Sequence, residues 1–261
     1  MFLHPCWFKA EPLPEEFFAA RACDLIDVRY GGANGSVLGG GPGNPYEYPT
    51  GRRDRPSGID DETLAHYVEA FSDPDTNFAV IDDAMLDFGT GEPVAPNAAG
   101  LVFAEEQGSF LVGAAAALKS ESGKLGFIGG VCCFGLIEKF EAGFRQGALA
   151  VNPDIEIVAQ YITDAPDFDG FNQPDQAKVI ATTMYEDGAD IIYHAAGGAG
   201  NGMFAAAKEY SEDNGTKVWG IGVDSDQYNT IGTVDASLQE YVLTSMLKRV
   251  DVAVFEVLKA Q

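Results

Sequence analysis

The sequence predicts an α/β protein built on doubly wound parallel sheets, and three observations carry that reading. From Lys124 onward, apolar strands alternate with amphipathic helices, the order that builds parallel sheets covered on both faces. The strands are short unbroken apolar runs, as in 217–223 (KVWGIGV), which is how strands buried on both faces read. Several runs end in carboxylates or glycine turns: Asp82 and Asp83, Gly129 and Gly130, 197–202, Asp224 and Asp226. In open α/β sheets the carboxyl ends of the strands form the edge where ligands sit.

Taken in order, 22–28 (ACDLIDV) reads as a short buried strand. Residues 31–60 are too rich in glycine and proline to pack, have no usable period, and read as loop or disorder. A helix is predicted over 62–71, with Leu64, Tyr67, Val68 and Phe71 on one stripe. Strands follow at 77–83 and 100–104, then a small-residue helix at 109–118. Strand 125–130 leads into a helix with Ile137, Phe140, Phe144 and Ala148 on one face. Strand 155–162, helix 175–185, strand 190–196, the turn 197–202, helix 203–210 and strand 217–223 complete the alternation. The last predicted element is a helix over 245–260, in whose first turn Lys248 and Arg249 would oppose the helix dipole.

Composition narrows the function. The net charge of −24, from 40 acidic and 16 basic residues, repels phosphate backbones and anionic headgroups, which excludes nucleic acid as a partner. No run reaches the 18 apolar residues of a membrane span. The N-terminus as written shows no basic segment followed by an apolar one, so no secretory signal is visible. The cysteines Cys6, Cys23, Cys132 and Cys133 have neither a disulfide framework nor metal-ligand spacing. The adjacent Cys132 and Cys133 read as small buried apolar residues.

The individual candidates leave alternatives open. Asp224 and Asp226 suit ligand contact and turn capping equally. Phe204, in the first turn after the glycine turn, is either core or an aromatic plate on the cleft, and core is the commoner case. The turn 197–202 lacks G-x-G-x-x-G, because Met203 stands where the last glycine belongs. It still allows close approach of backbone to a ligand. His4, His66 and His194 have no metal spacing, and His194 reads as a core histidine. No nucleophile elbow or metal set accompanies the carboxylates, so neither a catalytic residue nor a cofactor is predicted.

From about Asn77 onward the chain resembles the basic membrane protein family, the purine nucleoside receptor A-like lipoproteins. The words that carry the resemblance are FAVIDD at 78–83, EEQGSFL at 105–111, GKLGFIGG at 123–130, FEAGF at 140–144, GADII at 188–192, GGAGNGMF at 197–204, GVDSDQ at 222–227 and LTSMLKRVD at 243–251. The resemblance implies a type I periplasmic-binding-protein fold of two lobes. Its function would be an extracytoplasmic receptor that passes a nucleoside, purine favoured, to an ABC permease. By position it implies that Phe204 stacks on the base, Asp224 accepts from ribose hydroxyls, Lys248 donates to the ligand and Asp82 lines the cleft. Gly129, Gly130 and Gly198 would admit backbone approach.

The expected organisation is a first lobe over 1–122, a second over 123–240, and a helix over 241–261 returning to the first. The family's lipoprotein signal and its Asp-rich first loop are not visible as written, so the first lobe is expected to lack its opening strand. A lipid anchor is expected in the intact gene product, and a monomer in solution. The rival readings are a ligand-sensing regulator of the same fold, a Rossmann-like enzyme acting on nucleosides, and a nonfunctional fragment.

Overall fold

The computed structural model describes residues 78–82 and 98–259. The strand expected at 22–28, the loop at 31–60 and the helix at 62–71 lie outside them. The chain divides into two compact units. One holds the described residues up to Phe103 together with those from Arg249; the other is Ala104–Lys248.

In the first unit, β1 (Phe78–Ile81) pairs in parallel with β2 (Ala98–Leu101). Leu101, Phe103 and Ala253 form its described core, with Ala79, Ile81 and Val250 against them.

The second unit runs α1 (Glu105–Lys119), β3 (Lys124–Cys132), α2 (Ile137–Val151), β4 (Glu156–Asp164), α3 (Pro174–Glu186) and β5 (Ile191–Ala195). It continues with α4 (Asn201–Asn214), β6 (Trp219–Asp224), α5 (Gln227–Val234) and β7 (Val242–Leu247). Its sheet has the order β4-β3-β5-β6-β7, every pair parallel. Strand side chains alternate between two cores. Leu125, Phe127, Ile191 and Tyr193 pack with α1 and α2 on one face, while Ile128 and Ile192 pack with α3 and α4 on the other. The order reverses at β3, which has β4 on one side and β5 on the other. Such a switch point opens a crevice at the carboxyl ends of its strands.

Three expectations are corrected. The boundary between the lobes is not at 122, because α1 belongs to the second unit. Gly113 of α1 and Gly143 and Gly147 of α2 let the two helices touch backbone to backbone: a Cβ on Gly113 would overlap the Phe144 carbonyl, and one on Gly147 the Phe110 carbonyl. The terminal helix, α6 (Val250–Lys259), does not begin at Ser245. Ser245, Met246 and Leu247 pair with Gly222, Val223 and Asp224 as strand β7, so Lys248 and Arg249 precede the helix. Cys132 and Cys133 are joined by a disulfide, and Cys133 is exposed rather than buried.

Candidate functional site

Three non-glycine residues among those described hold a positive φ: Asp82 at 66°, Cys133 at 74° and Asp224 at 66°. Each stands at, or one residue beyond, the carboxyl end of a strand: β1, β3 and β6. A left-handed backbone costs an L-residue about 1–2 kcal/mol, and residues so held cluster where function requires them. At Asp224 the conformation is closed by two bonds. Ser225 N donates to the Val223 carbonyl at 2.8 Å, and Lys248 N donates to the Asp224 carbonyl at 2.9 Å.

Asp224 lines a cleft of about 270 Å³ at the ends of β5 and β6, with Gly197, Gly198, Asn201, Ser225 and Gln227 among its walls and Val223, Ile231 and Val234 supplying apolar surface. Asn201 opens α4, directly after the glycine turn. The walls therefore combine one exposed carboxylate, amide and hydroxyl groups, and aliphatic side chains.

A polar layer supports this edge. Lys248, 5% exposed, lies 3.6 Å from Oε1 of Glu105, 1% exposed, and Lys139 reaches the other Glu105 oxygen at 3.6 Å. The Lys248 ammonium also sits 5.2 Å from the centre of the Phe140 ring. The Tyr193 hydroxyl bonds Ser109 Oγ at 3.1 Å. Burial pushes the Tyr193 phenol up, and the Asp224 and Glu105 carboxylates act in the same direction.

Gln227 ties the strands together behind Asp224. Its Oε1 accepts from Val223 N at 2.8 Å and pairs with His194 Nε2 at 2.7 Å, while its backbone N–H donates to Ser245 Oγ at 3.0 Å. With Oε1 accepting from both, the His194 proton is on Nε2. Burial pulls His194 down to about 4. A Cβ on Gly200 would overlap the imidazole, which is why the glycine turn is needed there.

The predicted site residues separate on this geometry. Asp224 and Gly198 line the cleft. Asp82 is half-buried in the first unit, its amide bonded to the Leu101 carbonyl at 2.9 Å. Phe204 is 0% exposed and belongs to the core. Its ring stands edge-on to His194 with centroids 5.7 Å apart, over Gly220, where a Cβ would lie 2.7 Å from it. It therefore offers no plate to the cleft. The Lys248 side chain faces Glu105 in the interior rather than open solvent, and its backbone amide bonds the Asp224 carbonyl. Gly129 leaves room for the Tyr161 ring and Gly130 for the Phe171 ring; their close approaches are internal. Glu105, Asn201 and Gln227 stand inside EEQGSFL, GGAGNGMF and GVDSDQ without being singled out as candidates, because nothing local distinguishes a buried glutamate, or an amide on a cleft wall, from a solvated one.

A model of the family described as "ABC transporter substrate-binding protein PnrA-like" (Bmp) matches residues 62–260. The chain is 41% identical over 184 residues to the CD4+ T-cell-stimulating antigen of Listeria innocua, covering 69% of this chain and 48% of that protein. It is 34% identical over 192 residues to the ABC transporter nucleoside-binding protein BmpA of Lactococcus lactis, covering 72% and 51%. The chain thus spans about half the length of the curated relatives it matches. Among solved structures, a solute-binding protein of an ABC transporter system from Aeropyrum pernix superposes with a TM-score of 0.57 at 26% identity, over 76% of this chain and 50% of that one. A transcriptional activator of the comK gene from Bacillus halodurans superposes at 0.52 and 24% identity, over 76% and 58%, a likeness of fold alone. The architecture is the type I periplasmic-binding fold.

Proposed function

The chain belongs to the Bmp family of PnrA-like ABC transporter substrate-binding proteins, and from that membership we propose that it captures a nucleoside at the carboxyl edge of its five-stranded sheet and delivers it to an ABC permease. The observation that carries the reading is Asp224, a carboxylate held in a left-handed turn on the wall of a 270 Å³ cleft. An ionised carboxylate is a strong paired acceptor for the adjacent hydroxyls of a ribose. Asn201, Ser225 and Gln227 supply further polar partners, and Val223, Ile231 and Val234 an apolar wall. The name of the Lactococcus lactis relative points to the same ligand class.

With a net charge of −24, the ligand is a neutral nucleoside, purine favoured, rather than a nucleotide. Asp82, at the end of β1 in the first unit, repeats the left-handed strand end of Asp224. Lys248 acts by fixing the Asp224 backbone, and Gly198 keeps the turn open. The protein acts outside the cytoplasm as a monomer held at the membrane by lipid; among the described residues no helix is long and apolar enough to cross a bilayer. The Lactococcus lactis and Aeropyrum pernix proteins are binding proteins by name, in keeping with capture rather than turnover.

Isothermal titration with inosine, guanosine, adenosine, cytidine and uridine, against free ribose, other sugars and amino acids, tests this. Saturable heat with nucleosides supports the reading. Saturation by a sugar or amino acid with none by nucleosides sinks it.

A further inference from the structure

The disulfide at the end of β3 is not among the residues that line the cleft beside Asp224. Cys132 is half-buried and Cys133 exposed, so small reagents reach the pair. Glu138, in the first turn of α2, folds its carboxylate back over this loop. One oxygen accepts the Cys133 amide, and the other accepts the Gly135 amide at 2.9 Å. Phe134, between them, packs edge-on against Phe168 at 5.3 Å and Phe171 at 6.4 Å, which holds the loop over the sheet. The two sulfurs and a Glu138 oxygen lie within 4.8 Å of one another. Two donors about 2.3 Å from one tetrahedral ion stand roughly 3.8 Å apart; the bonded sulfurs are closer than that, and breaking the S–S bond frees them to separate toward it with Glu138 already beside them.

We propose that the reduced Cys132–Cys133 pair and Glu138 form a binding site for a thiophilic divalent cation of the zinc and cadmium class, with the disulfide as its closed state. Thiolates select such ions over calcium and magnesium. In opening, a trialkylphosphine or a dithiol supplies two electrons to the S–S bond. With a phosphine, water supplies the oxygen of the phosphine oxide and the two protons of the thiols. The cation then displaces both thiol protons and forms two S–metal bonds. The Glu138 carboxylate, kept in place by the Cys133 and Gly135 amides, is the third donor, and water fills what remains of the coordination shell.

The test uses the full chain with Cys6 and Cys23 changed to serine, reduced with a trialkylphosphine and titrated with Cd2+. Thiolate-to-metal charge-transfer absorption in the ultraviolet is followed. One equivalent should saturate the band, and the oxidised chain should give none. Cys132→Ser or Cys133→Ser should weaken binding a hundredfold or more, and Glu138→Gln about tenfold. Circular dichroism checks that each variant is folded; should Glu138→Gln unfold, Glu138→Asp, which keeps the charge, replaces it and should also bind more weakly. The proposal is overturned by absence of an equimolar band in the reduced chain, by unchanged affinity in Cys132→Ser, or by unchanged affinity in the folded Glu138 variant.

Discussion

The backbone amide of Lys248 donates to the carbonyl of Asp224 at 2.9 Å. The end of β7 thereby fixes the end of β6 in its left-handed turn. The Lys248 ammonium is buried 3.6 Å from Glu105, which anchors the same residue from the other side. Asp224 thus lines the cleft while its backbone is held from the interior.

Asp224→Asn should separate ligand contact from turn formation. Asparagine tolerates the 66° φ but loses the charge. A charged hydrogen bond is worth about 1.5–3 kcal/mol, or roughly one to two decades of affinity. Titration should show ribonucleosides weakened by that factor, with the urea midpoint little changed. Asp224→Ala should weaken binding equally and also lose about 1 kcal/mol of stability to backbone strain. Normal binding by both variants, with only alanine less stable, would make Asp224 a turn residue and nothing more.

Lys248 and Glu105 test the anchor. Removing one partner of a buried ion pair leaves the other charge uncompensated, at about 3–5 kcal/mol. Lys248→Met should approach that loss in urea unfolding, reduced by the Lys139 contact that Glu105 keeps at 3.6 Å. The double change Lys248→Met with Glu105→Gln should recover part of it. Losses that simply add would show that the pair is not coupled.

What could be read in advance follows from the range of the forces involved. Strand Ile191–Ala195 is buried throughout, so it appears in sequence as an unbroken apolar run and is easily found. Met246 and Leu247 read as helix in the sequence because they share a 3.6-residue stripe with Val250 and Val254. Pairing of Met246 with Val223 and of Leu247 with Asp224 decides the matter, and that contact has no local trace. Asp224 was legible as a carboxylate at a strand end. The burial of Phe204 depends on Gly220 and His194, and that of Lys248 on Glu105, each on another element. Residue type and spacing do not encode such meetings, and the same holds for Glu138 reaching back to Cys133.

Gly113, Gly143 and Gly147 should each resist alanine. On an open helix, glycine to alanine gains about 1 kcal/mol. Here the new methyl would overlap a carbonyl of the facing helix, and overpacking typically costs about 1–3 kcal/mol. Steric cost should win, with a net loss of about 1–2 kcal/mol per site in urea midpoint. A stabilised Gly147→Ala would mean that α1 and α2 can move apart cheaply.

His194 should make stability fall with acid in a defined window. In the unfolded chain it takes up a proton near 6.5, whereas in the folded protein burial holds it unprotonated down to about 4. Between those values the unfolded state binds more protons, so lowering the pH favours unfolding. The contribution is complete above pH 6.5 and lost by about pH 4, and it amounts to about 3 kcal/mol over the whole window. The bond to Gln227 works against this by favouring the protonated ring, but desolvation is the larger cause. Gly200 packed over the imidazole admits no side chain of its own, which keeps the ring enclosed. Urea midpoints of the parent and His194→Gln, taken from pH 7.5 to 4.5, isolate the effect, since the surface carboxylates contribute to both alike. The parent should lose more stability than the variant across that range, whatever their offset at pH 7.5. Parallel curves would show that His194 takes up its proton without opening the core.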